Sequence, residues 1–270
     1  MKVPSPEAGQ TERFYEQMDE VMRELWGEHL HHGLWQEGDD DHETAARSLV
    51  SEVGRRLDLA PGARVLDVGC GYGATGVQLG EEFGHEVEGV TLSGSQKARA
   101  VSGARVIVGD WLAGVGESDS MDGVIAIESL EHMADMEMAV GHLARVLRPG
   151  GRTVLACWVR VENPTWLERM LWLDPIRQAG QLWGQRSEER LLGALRRAGI
   201  TQIDRADLSS QVAPTWWRCA RRAVGLARSR PGVYRRLGWK ESLKLGLATV
   251  RIVSAYQLGL LRYVVVAGVR

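Results

Sequence analysis

No stretch of about 18 consecutive apolar residues occurs anywhere in the 270-residue sequence, which excludes a membrane-spanning helix. The opening MKVPSPEAGQTER has no apolar run, so no secretory signal is expected there. Cysteine is scarce. Cys70, Cys157 and Cys219 make no disulfide framework and lack metal-ligand spacing, which points to a reducing compartment, the cytoplasm, and to no metal site. An excess of one charge is also missing. The net charge of −2 gives no overall electrostatic case for nucleic acid as a partner. No GK[ST] triplet is present, so the triphosphate cradle of P-loop proteins is ruled out. Internal repeats and low-complexity tracts are absent.

Charge and aromatic residues are present but unevenly spread. Residues 1–50 hold twelve Asp/Glu against four Lys/Arg, and residues 218–244 hold nine Lys/Arg against one acid, Glu241. The basic stretch reads as a solvated helix face or as a surface for an anionic membrane or an acidic substrate group. Ten tryptophans stand against two phenylalanines. Trp158, Trp166, Trp172, Trp183, Trp216 and Trp217 all fall in the second half of the chain, where large rings would build an apolar pocket, two or three of them touching substrate.

The apolar spacing of Phe14, Met18, Val21, Met22, Leu25 and Trp26 predicts an amphipathic helix over 11–30 with Thr11 as its cap. A second helix is expected over 43–58. From 64 to 158, short apolar strands alternate with helical patterns: RVLDVG, EVEGVTL, ARVIVGD, DGVIAIE and RTVLACW read as strands. Such alternation implies a parallel sheet covered on both faces. The expected fold is α/β, a Rossmann-like, doubly wound, seven-stranded sheet. A helical cap would come from the N-terminal arm and late insertions. The parts are an arm or flap at 1–58, a core at 59–158, a cap insertion at 159–186, a core helix and strand at 187–210 with Ser187 as cap, a helical cap at 211–256 and a last core strand at 257–270.

VLDVGCGYGATG, residues 65–76, runs a strand into a turn with Gly69, Gly71, Gly73 and Gly76. In an open α/β sheet a ligand sits outside the carboxyl ends of the strands, and glycines there permit close backbone approach. Asp67 lies two residues before the first glycine. Its carboxylate would repel a pyrophosphate and suit a cationic amine. The acid that binds a nicotinamide ribose about 20 residues further on is not clear-cut, since the second strand ends at Thr91. A nicotinamide-dependent oxidoreductase is therefore the weaker reading.

With Gly109–Asp110 after the third strand and LRPGG (147–151) before the fifth, residues 60–158 resemble a class I S-adenosylmethionine-dependent methyltransferase. WGEHLHHGLW (26–35), GVTLSGSQ (89–96), IESLEHMAD (127–135) and VAPTWW (212–217) extend the likeness to the γ-tocopherol methyltransferase group over nearly the whole chain. The resemblance implies S-adenosylmethionine as cofactor and a small apolar acceptor, prenylated or indolic, methylated on carbon, nitrogen or oxygen in specialised metabolism. It implies no nucleic-acid partner, because IESLEHM stands where the nucleic-acid enzymes carry their [DNS]PP[YFW] tetrad. A homo-oligomer, and a non-catalytic subunit retaining the fold, stay open.

By the same resemblance Gly69, Gly71 and Gly73 carry the cofactor's methionyl part and Asp67 supports it. Thr91, Leu92 and Gln96 meet the ribose, Gly109 and Asp110 the adenine, and Trp111 packs on the ring or merely in the core. Tyr15, His32 and Gly33 close over the methionine end. Glu128 and His132 sit four apart. If 128–133 is a helical turn, both face one side, where acid–base chemistry is expected. The other reading is that they only hold the loop over the cofactor.

Overall fold

The structure, a computed structural model, describes residues 6–36, 41–229 and 239–270. Residues 230–238 of the basic stretch, and 1–5 and 37–40 of the acidic one, lie outside the described residues. Seven strands form one sheet: β1 (Arg64–Val68), β2 (Glu86–Thr91), β3 (Arg105–Val108), β4 (Met121–Ile127), β5 (Leu147–Arg160), β6 (Thr201–Asp207) and β7 (Leu261–Val269), in the spatial order 3-2-1-4-5-7-6. Strands β1 to β5 pair in parallel, as their alternation with helices requires. Strand β7 departs from that pattern and runs antiparallel to both β5 and β6.

Consecutive strand residues turn to opposite faces, and the core divides accordingly. Val65, Ile125, Val154, Ala156, Tyr263 and Val265 join one cluster; Leu66, Val124, Leu155, Cys157, Val264 and Val266 join the other. Both sets are almost fully buried, so the strands read as unbroken apolar runs and not as alternating ones.

The helices that shape the site are α1 (Pro6–Trp26), α2 (His42–Leu57), α3 (Ala74–Phe83), α4 (Gly94–Ala98) and α5 (Met136–Val146). Helix α1 starts five residues before the expected position, so Thr11 is an interior, buried residue and not a cap. Helix α2 is capped by Asp41, whose side chain accepts from the Thr44 N–H. Its Leu49, Val50, Val53 and Leu57 lie in the core against the sheet. It belongs with the sheet, and the arm proper is α1 and the segment after it. Beyond β5 come two short helical pieces joined by a π turn over 166–179, α6 (Trp166–Glu168) and α7 (Asp174–Ala179), then α8 (Glu188–Arg197). Ser187 precedes α8 but makes no side-chain cap bond. Next are α9 (Ser209–Val212), α10 (Pro214–Ser229) and α11 (Trp239–Gln257). Helices α10 and α11 pack on each other, and α11 packs on the 166–179 segment.

Candidate active site

At the carboxyl ends of β1, β2 and β4 lies a cavity of about 1070 Å³, mouth included, at the upper end of the range for small-molecule sites. The glycine turn forms its floor. Gly69 (φ +80°) and Gly71 (φ +55°) adopt left-handed backbone, which glycine takes without strain. A Cβ on Gly69 would sit 2.3 Å from the Ser129 Cβ, so strand β4's loop can close on the turn only over a hydrogen atom. Gly73 does something else. It starts α3, and a Cβ there would meet Ala104 at 2.6 Å, outside the cavity lining. It is a packing glycine, and its place in the motif reflects the helix-to-strand approach.

Asp67 is buried between β2 and β4 and lines the cavity. Burial pushes its carboxyl up to about 7, and Oδ2 has no hydrogen-bond partner. Across the floor, the Ser93 N–H donates to Thr91 Oγ1, so the Thr91 hydroxyl gives its own proton to Gln96 Oε1 at 2.6 Å. What Gln96 offers a ligand is then its amide N–H₂. Leu92, Gly109 and Asp110 also line the space. Asp110 Oδ1 accepts from the Leu112 N–H and caps a short helical turn, with Oδ2 left for a ligand donor. Trp111 is anchored by its indole N–H on the Ala139 carbonyl at 3.0 Å. It is both a core residue and part of the wall.

Glu128 and His132 line the cavity but do not share a helical turn. Glu128 has φ +51°, and only Leu130–His132 is helical, so the two side chains diverge. The Glu128 carboxylate accepts four bonds: from the His32 main-chain N–H (2.7 Å), His32 Nδ1 (2.9 Å), Trp158 Nε1 (2.8 Å) and the Tyr263 hydroxyl (2.8 Å). Burial alone would lift this carboxyl, but His32, by ring and main chain, holds it down to about 2. Glu128 therefore clamps the arm to the sheet and has no lone pair to spare for acid–base work.

His32 is fully buried and does not line the cavity. Trp216 Nε1, which can only donate, bonds His32 Nε2 at 2.7 Å, so Nδ1 carries the proton given to Glu128. Gly33 is likewise behind the wall. Its N–H bonds Thr215, and a Cβ would strike Ala45 at 2.5 Å. The arm reaches the cavity with Thr11, Glu12 and Tyr15 of α1 and with Glu28, His29, Leu30 and His31 after it. Of the segment 29–33, His29, Leu30 and His31 face the space, and His32 and Gly33 do not.

His132 is half-buried, and its desolvation lowers its pKa from the ordinary imidazole value. Its Nδ1 faces the Gln181 carbonyl at 3.1 Å and must donate to it, so Nε2 is the acceptor. The Tyr15 hydroxyl from α1 lies 2.9 Å from that Nε2. Glu131, between the two expected residues, went unnoticed in the sequence because nothing in its spacing marks it. Burial pushes it up to about 8, and it accepts the Trp158 N–H at 2.5 Å.

The tryptophans of the second half do not build the cavity. Trp111 is the one indole in its lining among the described residues. Trp158 and Trp216 instead cage His32, with ring centroids at 4.6 and 5.6 Å, while Trp166 and Trp217 are exposed.

An unpartnered buried acid beside a glycine floor, with a hydroxyl-directed amide and an acid further along, fits a ligand with an ammonium at one end and a nucleoside at the other. The family described as "Methyltransferase domain" matches residues 41–202. This chain is a member of it. It is 32% identical over 222 residues to 27-O-demethylrifamycin SV methyltransferase of Amycolatopsis mediterranei (78% of this chain, 81% of that one). It is 30% identical over 282 residues to the chloroplastic tocopherol O-methyltransferase of Arabidopsis thaliana (93% and 78%). Among solved structures, the [4+2]-cyclase SpnF superposes with TM-score 0.80 at 24% identity over 100% of this chain and 99% of that one. Geranyl diphosphate C-methyltransferase from Streptomyces coelicolor superposes with TM-score 0.74 at 21% identity over all of both chains. The name of the cyclase shows that this fold alone does not fix the reaction. The protein is an S-adenosylmethionine-dependent methyltransferase.

Proposed function

We propose that the enzyme methylates a hydroxyl oxygen of an apolar small molecule, with His132 as general base. The observation that carries this reading is the His132 Nε2 lone pair at the cavity wall, its tautomer set by the Gln181 carbonyl. An amine needs no base, and a carbon acceptor needs a stabilised cation, for which Glu128 has no free acceptor site. The relatives named for O-methylation lend the same support. Leu30, Ile127, Met133 and Leu92 give the cavity its apolar wall.

When bound, S-adenosylmethionine supplies a methyl group on a sulfonium, already an electrophile. Asp67, Gly69 and Gly71 would hold its amino-acid end, and Gln96 and Asp110 its nucleoside. Gly73, His32 and Gly33 act behind them as packing. The chain's own task is to position the acceptor, keep water out and take one proton. His132 would take the proton of an acceptor hydroxyl at Nε2, where Tyr15 now bonds, as the oxygen gains the methyl and the pair of the broken methyl–sulfur bond stays with the departing thioether. Tyr15, whose pKa burial raises, stays protonated and donates to the acceptor oxygen. The His132→Ala variant should keep its S-adenosylhomocysteine affinity and lose about 10²- to 10⁴-fold in turnover of hydroxyl acceptors. Because His132 is lowered, turnover should already be on its plateau at neutral pH and fall on the acid side. Unchanged turnover in the variant, or a product methylated on nitrogen by NMR, would overturn the proposal.

A further inference from the structure

We propose that the face formed by the 166–171 segment and the first half of α11 docks onto an anionic membrane surface. Trp166 is 70% exposed, and Leu167, Met170 and Leu171 beside it are 54%, 44% and 45% exposed. Helix α11 continues this patch. Residues 243, 247, 251 and 254 fall on one stripe at helical spacing. The stripe's later half is docked on the cap: Arg251 Nε donates to the Leu171 carbonyl at 3.1 Å, and Trp172 Nε1 donates to Ser254 Oγ at 2.8 Å. The earlier half, Leu243 and Leu247, carries on past that contact with about half of each side chain in water. Large apolar side chains thus stand exposed on both of these packed elements, the kind of patch that marks an interaction surface.

Charge identifies the occupant. Helix α10, which packs on α11, exposes Arg221, Arg222 and Arg228, and Arg221 lies over the exposed Trp217 ring at 5.3 Å. Residues 218–244 carry nine cations against one acid, in a chain whose net charge is −2. The exposed arginines of α10 give this surface the cations that anionic headgroups attract. Two copies meeting here would bring arginines against arginines. No described helix is long and apolar enough to cross a membrane, so the contact is peripheral, with the indole at headgroup depth.

The test is co-sedimentation of the full chain with vesicles of phosphatidylcholine, with and without phosphatidylglycerol, at low and raised salt. Binding should require the anionic lipid and weaken with salt. The double variant Trp166→Ser/Leu167→Ser should bind about tenfold more weakly, and Arg221→Gln about fivefold, both with parental turnover of a water-soluble acceptor. Binding to neutral vesicles alone, no binding at all, or variants that bind as the parent does would refute the proposal. So would light scattering that shows a dimer which Trp166→Ser dissolves, because the patch would then be a self-interface.

Discussion

Replacing Glu128 by glutamine exchanges one carboxylate oxygen for an N–H₂ while leaving volume and shape unchanged. The four donors around it decide the cost. With the amide nitrogen at the Oε2 position, it faces His32 Nδ1 and Trp158 Nε1. Neither can reverse, because Trp216 already occupies the other ring nitrogen of His32 and an indole only donates. With the nitrogen at the Oε1 position, it faces the His32 main-chain N–H and the Tyr263 hydroxyl. The hydroxyl can turn; the main chain cannot. Either way at least one fixed donor is left facing a donor, and the remaining bonds lose their charge, so the loss is about 3 kcal/mol. Titration gives a second route to the same figure. A buried carboxyl held at about 2 against its ordinary 4.5 carries about 3 kcal/mol at neutral pH. Because the folded value is depressed, that stability is complete above pH 4.5 and is lost as pH falls toward 2. Differential scanning calorimetry at pH 7 should show Glu128→Gln melting about 6–12 °C below the parent. The parent should close that gap as pH falls below 4.5. A variant that melts with the parent at pH 7 would refute the clamp.

Asp67→Asn should act in the opposite direction. The folded carboxyl is raised from 3.8 to about 7, so its charge costs stability as pH rises through that window. At pH 8 the variant should be more stable by about 1–3 kcal/mol in thermal melts without ligand. It should also bind S-adenosylhomocysteine about tenfold more weakly by calorimetry. Gly184→Ala places a Cβ 2.0 Å from the Met133 carbonyl and 2.4 Å from that of Leu130. Overpacking against backbone should cost about 3 kcal/mol and shift the His132 turn, lowering kcat with little change in cofactor affinity. In hydrogen exchange, α1 should open before residues 28–35, which the Glu128 clamp holds.

What the sequence made legible was local. The glycine turn and the strand-and-helix alternation over 64–158 follow from patterns a few residues long. The direction of β7 does not, because an apolar run such as YVVVAGV is the same buried strand in either orientation. Glu128 shows the limit most clearly. Four residues from His132, it fitted a helical acid–base pair. Its partners lie 96 residues back at His32, 30 on at Trp158 and 135 on at Tyr263, and none of those contacts leaves a mark in local spacing. The tryptophans misled for the same reason. Their number implied an apolar pocket, and they do make one, but its occupant is the side chain of His32.

The arm is held at two points, and that bears on how the site must open. At the His32 end the anchor is a buried carboxylate with four donors and an aromatic cage. At the α1 end Asp19 accepts from the Tyr72 hydroxyl at 2.5 Å and pairs with Arg99, whose side chain is half exposed. Arg23 lies over the Tyr72 ring at 5.2 Å. Of that set only Arg99 reaches solvent; Asp19 and Tyr72 are buried, and α1 also packs Met18 and Val21 with Leu226 and Leu245. Between the anchors sits Gly27, at φ +83° with open space around its Cα, a natural point for the backbone to bend. Release of α1 about Gly27 would carry Thr11 and Tyr15 out of the cavity wall and leave His29, Leu30 and His31 in place. That motion would free Nε2 of His132 from Tyr15, so ligand entry and readiness of the proposed base would depend on the same release of α1.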